Sequence, residues 1–166
     1  MVLLAKRHWL RNALVPTQRI GGKNGRKRSV LTDGRGVPLS IIASGANVND
    51  VVLLERTLDG IVIVRPKTKK RQKLCADAGY KGEPAQKVIS SRDYEPHVKQ
   101  RREEAQEKRK HRGFKARRWV VERTHSWVNR HRKLLVSFEK TEASYVGLLS
   151  LAAAMICWRQ VIFIYG

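Results

Sequence analysis

Two acidic side chains lie where a carboxylate could take part in a reaction. Asp77 is the first of them. It follows the short apolar run from Leu74 to Ala76 and precedes Ala-Gly-Tyr, so it is predicted to end a buried strand. Sites of open α/β sheets gather at the carboxyl ends of strands, which makes Asp77 a candidate site residue. The competing interpretation is an ordinary turn or helix-capping aspartate, because Asp is common in turns.

Glu122 is the second candidate. Three apolar residues, 119–121, precede it and a cation, Arg123, follows it, so a single acid lies inside a half-buried basic helix. The competing interpretation is a structural ion pair with Arg118, four residues earlier on the same helix face. Taken alone, the residues favour the ion pair.

Two inward-facing carboxylates in a basic protein could hold divalent ions against a phosphodiester. Paired Mg²⁺ ions about 3.5–4 Å apart can activate an attacking oxygen and stabilise a leaving one. Carboxylates suit Mg²⁺ because it is a hard cation that prefers oxygen ligands. Two acids are a sparse ligand set for two ions, and a third acid is normally expected.

Charge is the outstanding property of the chain. It has 35 Lys and Arg against 14 Asp and Glu, which gives a net charge of +21. Such an excess predicts a polyanionic partner, above all nucleic acid. An anionic membrane surface fits less well, since it would require the cations to lie on one amphipathic helix.

Length and apolar content suit a single folded domain, with 166 residues of which 42% are apolar. Cys75 and Cys157 are far apart in the sequence, which predicts reduced, partly buried thiols of a cytosolic protein and no zinc site. The apolar stretch from Leu148 to Ile164 contains Arg159 and falls short of the ~20 residues that a membrane span needs. It is predicted to be a buried closing helix.

The elements that would position the two acids follow from the apolar pattern. Apolar runs on both sides of Asp33-Gly-Arg-Gly predict a hairpin, and Asp50 is predicted to cap a helix over residues 51–58. Further predicted elements are a strand ending at Asp77, a helix from Glu83 to Ile89, a strand from Tyr94 to Val98, a charged helix or loop from Arg101 to Arg112, a helix from about Lys115 to Arg132 and a closing helix from about Tyr145 to Ile164. This order predicts an α/β domain with a mixed sheet and flanking helices.

Four blocks of sequence follow one another in an order that is typical of one protein family. They are Ser29-Val-Leu-Thr-Asp-Gly-Arg-Gly-Val-Pro-Leu, Ser44-Gly-Ala-Asn-Val-Asn-Asp, Ala76-Asp-Ala-Gly-Tyr-Lys-Gly and Val121-Glu-Arg-Thr-His-Ser-Trp-Val-Asn-Arg-His-Arg-Lys-Leu. Together they resemble the blocks of DDE-type insertion-sequence transposases, and the likeness runs from about Lys27 to Gln160. The resemblance implies the C-terminal portion of an RNase H-like catalytic domain over residues 29–166.

The resemblance implies a role for three residues. Asp77 matches the second metal-binding aspartate of the family, and Glu122 matches the third acid, on a helix packed against the sheet. Arg118 matches the arginine of the signature Tyr-x2-Arg-x3-Glu-x6-Lys, which is expected near transposon-end DNA. Lys115 and Asn129 depart from the tyrosine and the lysine of that signature, which affects the expected DNA contacts more than the metal site.

The first acid of the family has no counterpart where the resemblance implies one. It would lie on a strand upstream of the hairpin, yet residues 1–20 contain no Asp or Glu. Asp33 is predicted to be a turn residue and Asp50 a helix cap. The chain is therefore predicted to begin with an irregular basic segment over residues 1–28, to lack the first strand, and to be the downstream product of an interrupted transposase gene.

Cations near the two acids are the predicted DNA contacts, because they could meet backbone phosphates. They are Arg118, Arg123, Arg130, Lys67, Lys69 and Lys70. For the three lysines a solvated face is an equally good interpretation.

Aromatic and imidazole side chains beside Glu122 are predicted to belong to the scaffold. Trp119 and Trp127 are eight residues apart, so both can face the core rather than stack on bases. His125 and His131 are predicted to be partly exposed polar residues rather than ligands.

The resemblance implies metal-dependent DNA strand cleavage and strand transfer, with Mg²⁺ or Mn²⁺ held by Asp77 and Glu122. The expected partners are transposon-end and target DNA, together with further copies of the chain or an intact transposase, at the bacterial nucleoid in the cytoplasm. The alternative from another class is a catalytically inactive DNA-binding remnant that regulates an intact transposase, which the absent first acid supports. A basic RNA-binding or ribosome-associated protein would explain the charge but not the four ordered blocks.

Overall fold

The computed structural model describes residues 2–5, 26–66, 71–80, 82–98, 118–136 and 139–165. Its five strands are β1 Val2–Ala5, β2 Arg26–Thr32, β3 Pro38–Gly45, β4 Gln72–Ala76 and β5 Tyr94–Val98. They form one sheet in the order β3-β2-β1-β4-β5. β2 pairs antiparallel with both β1 and β3, whereas β1, β4 and β5 are parallel. The predicted mixed α/β sheet is confirmed.

The first strand is present, so the prediction that it is missing was wrong. Val2–Ala5 occupies the central place of the sheet, where Leu4 pairs with Leu31 of β2 and with Ala76 of β4. A run of four apolar residues without a charge suits an inner strand of a sheet. The segment predicted to be irregular, 1–28, thus includes β1 and the beginning of β2, while residues 6–25 lie outside the described residues.

The predicted hairpin is confirmed, and Asp33 is its turn residue. Asp33 Oδ1 accepts hydrogen bonds from the backbone N–H groups of Arg35 and Val37, each at 2.8 Å. Gly36 has a φ of 85°, a left-handed conformation that glycine adopts without steric cost. The carboxylate of Asp33 is therefore engaged in shaping the turn.

Helices cover both faces of the sheet. In the described part of the chain they are α1 Asp50–Asp59, α2 Glu83–Ser91, α3 Arg118–Asn129, α4 Arg132–Val136 and α5 Glu142–Tyr165, with a short 3-10 turn at Ala78–Tyr80. Under α1 and α2 lies the first core, formed by Leu31, Leu54, Leu58, Leu74, Tyr80, Ala85, Ile89 and Tyr94. On the other face, the α3 cluster consists of Val30, Val120 and Val121. Beside it, the α5 cluster consists of Val128, Leu134, Tyr145, Leu149, Ala152 and Ile156.

Asn49 caps α1, although Asp50 was predicted to do so. Asn49 is extended (φ −61°, ψ 139°) and its side chain accepts a hydrogen bond from Val51 N at 2.8 Å. The carboxylate of Asp50 instead binds the Lys27 ammonium at 3.0 Å. Both residue types are good caps, so the sequence could not distinguish them until the position of Lys27 was known.

We expect Asn49→Ala to lower the free energy of unfolding by about 1 kcal/mol, because the substitution removes the acceptor for an N–H group of the first turn. Urea unfolding followed by circular dichroism would measure the change. Asn47→Ala, at an exposed position just before the cap, is the matched control and should have a smaller effect. Equal midpoints for the two variants would mean that water replaces the cap at no cost.

The closing helix is longer and less buried than predicted. α5 has 24 residues, and its stretch Glu142–Phe163 is long and apolar enough to cross a membrane. One stripe of the helix, which includes Tyr145 and Leu149, is buried in the α5 cluster. The prediction of a buried helix is therefore correct for that stripe alone.

The prediction of reduced, partly buried thiols is confirmed, since Cys75 and Cys157 are both free and half-buried.

Candidate functional site

Asp77 directly follows β4, on the face of the sheet that α3 covers. Leu74 and Ala76 pack in the core under α1 and α2, whereas Cys75 packs against the α3 cluster. Because successive side chains of a strand point to opposite faces, Asp77 continues the side of Cys75. The Asp77 carbonyl accepts a hydrogen bond from Tyr80 N at 2.9 Å, which starts the 3-10 turn. Asp77 is therefore held, half-buried, at the end of an inner strand, as predicted.

Glu122 lies on α3, exposed beside the buried Val121. The hairpin contacts the opposite flank of the helix, where Thr124 Oγ1 donates to the Gly36 carbonyl at 2.7 Å. With 3.6 residues per turn, Glu122 is about 160° around the helix from Thr124. Since α3 packs over β1 and β2, Glu122 lies on the flank away from the hairpin, on the side of β1 and β4.

The backbone register identifies a third position of the site, which sequence reasoning missed. Leu4 pairs with Ala76, so Ala5, the next residue of β1, is level with Asp77. Ala5 also pairs with Val30, which belongs to the α3 cluster. Position 5 therefore lies beside Asp77 on the α3 face, and alanine stands there. Within the described residues, no three His, Cys, Asp or Glu side chains are grouped closely enough to hold a metal ion.

The histidines of this helix and of the residues after it differ in environment. His125 is only 4% exposed, so the prediction that it is partly exposed was wrong. It lies four residues after Val121 and three before Val128, both buried, and this spacing places it on the buried stripe of α3. His131 is half-buried, which confirms the prediction for that residue.

Arg123 and Trp127 lie on the side of α3 that faces the hairpin. The Arg123 guanidinium lies 4.9 Å from the centre of the Trp127 ring and donates to the backbone carbonyl of Arg35. Trp127 is half-buried and packs against the α5 cluster, so the prediction that it faces the core is confirmed. The Trp119 side chain lies outside the described residues. A DNA contact by Arg123 stays a prediction.

The structure describes only some of the other residues that are predicted to contact DNA. Arg130 is exposed just after α3. Lys67, Lys69 and Lys70 lie outside the described residues, as do Lys115 and the side chain of Arg118. The stretch from Arg101 to Arg112 also lies outside them.

Arg28 is a buried cation that the sequence did not reveal. It is 2% exposed on β2, and its guanidinium donates to Asn129 Oδ1 at 2.7 Å. Burial lowers the pKa of Arg28, and burial likewise raises the pKa of Tyr145 nearby. Asn129, which departs from the signature lysine, thus has a structural role at the end of α3. A second cation there would lie against Arg28 and would be repelled.

Fold, charge and the two acids define a class of protein, the α/β domains that act on nucleic acids. Residues 13–157 match the family of transposase DDE domains, and the chain belongs to that family. It is 34% identical to a protein of Burkholderia cepacia described as a transposase for insertion sequence element IS402, over 96% of this chain and 75% of that protein. Membership confirms the resemblance of the four blocks and makes this a protein of DNA transposition, with DNA as its partner and a divalent metal as the cofactor of its family.

Proposed function

We propose that this chain cleaves a DNA strand at a transposon end and transfers it to a target, on an RNase H-like domain. The strand order β3-β2-β1-β4-β5, with β2 antiparallel to the other four strands, supports that fold. The observation that carries the proposal is that Asp77 and the helix that bears Glu122 lie on one face of the sheet, with Glu122 on the flank of α3 towards β1 and β4.

Asp77 and Glu122 would hold the metal ion, Mg²⁺ or Mn²⁺. Their carboxylates are the ligands that such hard cations prefer, and the half-buried end of β4 gives Asp77 a fixed position. Two side chains supply few ligands, so water and phosphate oxygens of the DNA would complete the coordination. A bound ion would polarise a phosphoryl oxygen and lower the pKa of a bound water.

Other parts of the chain would position the metal ligand Glu122 and the DNA. Glu122 is fixed by a helix whose neighbouring residue, Val121, is buried at 1% exposure. Arg118 and Arg130, at the two ends of that helix, would contact DNA phosphates and orient the scissile strand. The nucleophiles would be water and then the exposed 3′-hydroxyl of the DNA, so no covalent link to a side chain is required.

Nicking of a supercoiled plasmid that carries candidate transposon ends tests the proposal. We expect cleavage with Mg²⁺ or Mn²⁺, none with EDTA, and for Glu122→Gln a rate reduced to that of the EDTA control. Glu83→Gln is the matched control, since it removes an exposed acid of α2 that forms an ion pair with Lys87, and it should leave cleavage unchanged.

DNA binding without cleavage, equal for the native chain and Glu122→Gln, would contradict the catalytic proposal. The chain would then occupy DNA ends without processing them.

A further inference from the structure

The turn of the β2–β3 hairpin is hydrogen-bonded to α3 at two consecutive positions. Thr124 Oγ1 donates to the Gly36 carbonyl at 2.7 Å, and the Arg123 guanidinium donates to the carbonyl of Arg35. Thr124 is 0% exposed, and Gly36 is buried as well. The Thr124 hydroxyl also lies 3.2 Å from the Val120 carbonyl of its own helix. Because a hydroxyl has a single proton, we assign that proton to the shorter bond, the one to the turn.

The backbone of the turn also touches α3 directly. A Cβ added to Gly36 would lie 3.1 Å from Thr124 Oγ1 and 3.4 Å from Val120 Cγ1, so the helix has no room to approach the hairpin. The hydrogen bond from Thr124 opposes movement in the other direction. The distance between α3 and the turn is therefore fixed from both sides.

The Thr124 bond restrains the helix in a way that apolar packing does not. The α3 cluster holds the helix against the sheet, but apolar contacts are non-directional and allow a small rotation. A hydrogen bond weakens steeply when its angle changes. The bond between Arg28 and Asn129 is directional as well, yet it lies about two turns beyond Glu122. Thr124 thus provides a directional contact within two residues of Glu122.

The rotation of α3 determines where the Glu122 carboxylate lies. Glu122 and Thr124 are about 160° apart around the helix, so the bond on the hairpin flank acts on the flank towards β1 and β4. A rotation of about 10° would move a carboxylate about 6 Å from the helix axis by about 1 Å. A misplacement of about 1 Å can cost about a hundredfold in rate.

We propose that Thr124 is a positioning residue of the metal site, whose hydrogen bond to the hairpin turn holds α3 in the rotation that directs Glu122 towards an ion bound by Asp77. This inference rests on the proposed function of those two acids. Thr124 is fully buried under the turn, so it acts through Glu122 and does not contact DNA itself. Its hydroxyl therefore affects metal affinity and maximal rate but not the affinity for DNA.

Mn²⁺ binding to the full chain, measured by calorimetry, tests the proposal. Thr124→Val keeps the shape of the side chain without the hydroxyl. We expect it to bind Mn²⁺ at least about tenfold more weakly and to nick at saturating Mn²⁺ at least about tenfold more slowly, the effect of losing a group that orients a metal ligand. Its affinity for transposon-end DNA in EDTA should equal that of the native chain. Thr124→Ser keeps the hydroxyl and should restore Mn²⁺ binding.

Thr57→Val is the matched control. Thr57 is also 0% exposed, but it lies on α1, on the other face of the sheet, and its hydroxyl donates to Leu53 O of the same helix at 2.6 Å. The substitution removes an equally buried hydroxyl without touching α3. Urea unfolding should show a loss of stability for both valine variants, whereas Mn²⁺ binding should weaken in Thr124→Val alone.

Gly36→Ala tests the same contact from the side of the turn and decides the question if Thr124→Val does not fold. The added Cβ would press on Thr124 Oγ1 and Val120 Cγ1, so α3 would have to shift outwards. Mn²⁺ binding should weaken in this variant as well.

Equal Mn²⁺ affinity of the native chain and a folded Thr124→Val, or of Gly36→Ala where Thr124→Val does not fold, would overturn the proposal and leave Thr124 a purely structural residue. A native chain that binds no Mn²⁺ would overturn both this inference and the metal site. A native chain that binds Mn²⁺ without nicking DNA would contradict the catalytic proposal alone, and the Mn²⁺ affinities of the variants would still decide the role of Thr124.

Discussion

Ala5→Asp is expected to raise metal-dependent nicking of transposon-end DNA by at least about a hundredfold, since even groups that only orient metal ligands change activity by about 10–100-fold. Position 5 is level with Asp77 on the adjacent parallel strand, and neighbouring strands are about 4.8 Å apart. A carboxylate placed there would lie within reach of an ion bound by Asp77. It would supply the third acid that is normally expected in such a metal site.

Control variants show whether the increase in nicking comes from the charge of the new carboxylate or from the shape of the side chain. Ala5→Asn has nearly the same volume without the negative charge and should give no gain. Ala5→Asp combined with Glu122→Gln should lose the gain, and so should EDTA. Nicking that stays at the native rate in a folded Ala5→Asp chain, together with unchanged Mn²⁺ binding by calorimetry, would show that position 5 is not part of the metal site.

Leu74→Ala is expected to cost about 2–5 kcal/mol in the free energy of unfolding, the usual range for truncating a fully buried leucine. Leu74 is 0% exposed on β4, inside the core under α1 and α2. Domains of this size are often stable by only about 5–15 kcal/mol, so a large part of the chain would unfold at moderate urea concentrations. Because Asp77 directly follows β4, nicking should also be lost at a lower temperature than in the native chain.

Urea unfolding measured by tryptophan fluorescence and circular dichroism tests this second expectation. Val64→Ala, at the position 93% exposed, removes comparable apolar atoms without leaving a cavity and should cost far less. Equal costs for the two variants would mean that the core around Leu74 collapses to fill the space.

Local turn chemistry and strong periodicity made much of the fold predictable. The Asp33 turn fixed the hairpin, and β5 has the bounds expected from its sequence, Tyr94–Val98. Asp77 was predictable because an apolar run ending in an acid indicates the end of a buried strand. Glu122 owes its prediction to the family resemblance, since the residues alone favoured an ion pair.

What the sequence did not reveal depends on contacts between distant residues. β1 has only four residues, too few for a periodic signal, and its strand character comes from two neighbours that lie far along the chain. His125 is polar by type but buried by its place on α3. Arg28 lies in a basic run that favours exposure, yet it is buried on β2, where its guanidinium binds Asn129 at the end of α3. The level position of Ala5 beside Asp77 follows from register, which no local pattern encodes.

The central place of β1 has a consequence for how the chain acquires its structure. In the described sheet, β1 is the sole hydrogen-bonded connection between the β2–β3 hairpin and the β4–β5 pair. The hairpin closes a short loop and can form early, whereas pairing of Val2 with Leu74 closes a long one at a larger entropic cost. Joining of the two halves through β1 is therefore expected late in folding, and on the ribosome the sheet cannot be completed until β4 and β5 have emerged.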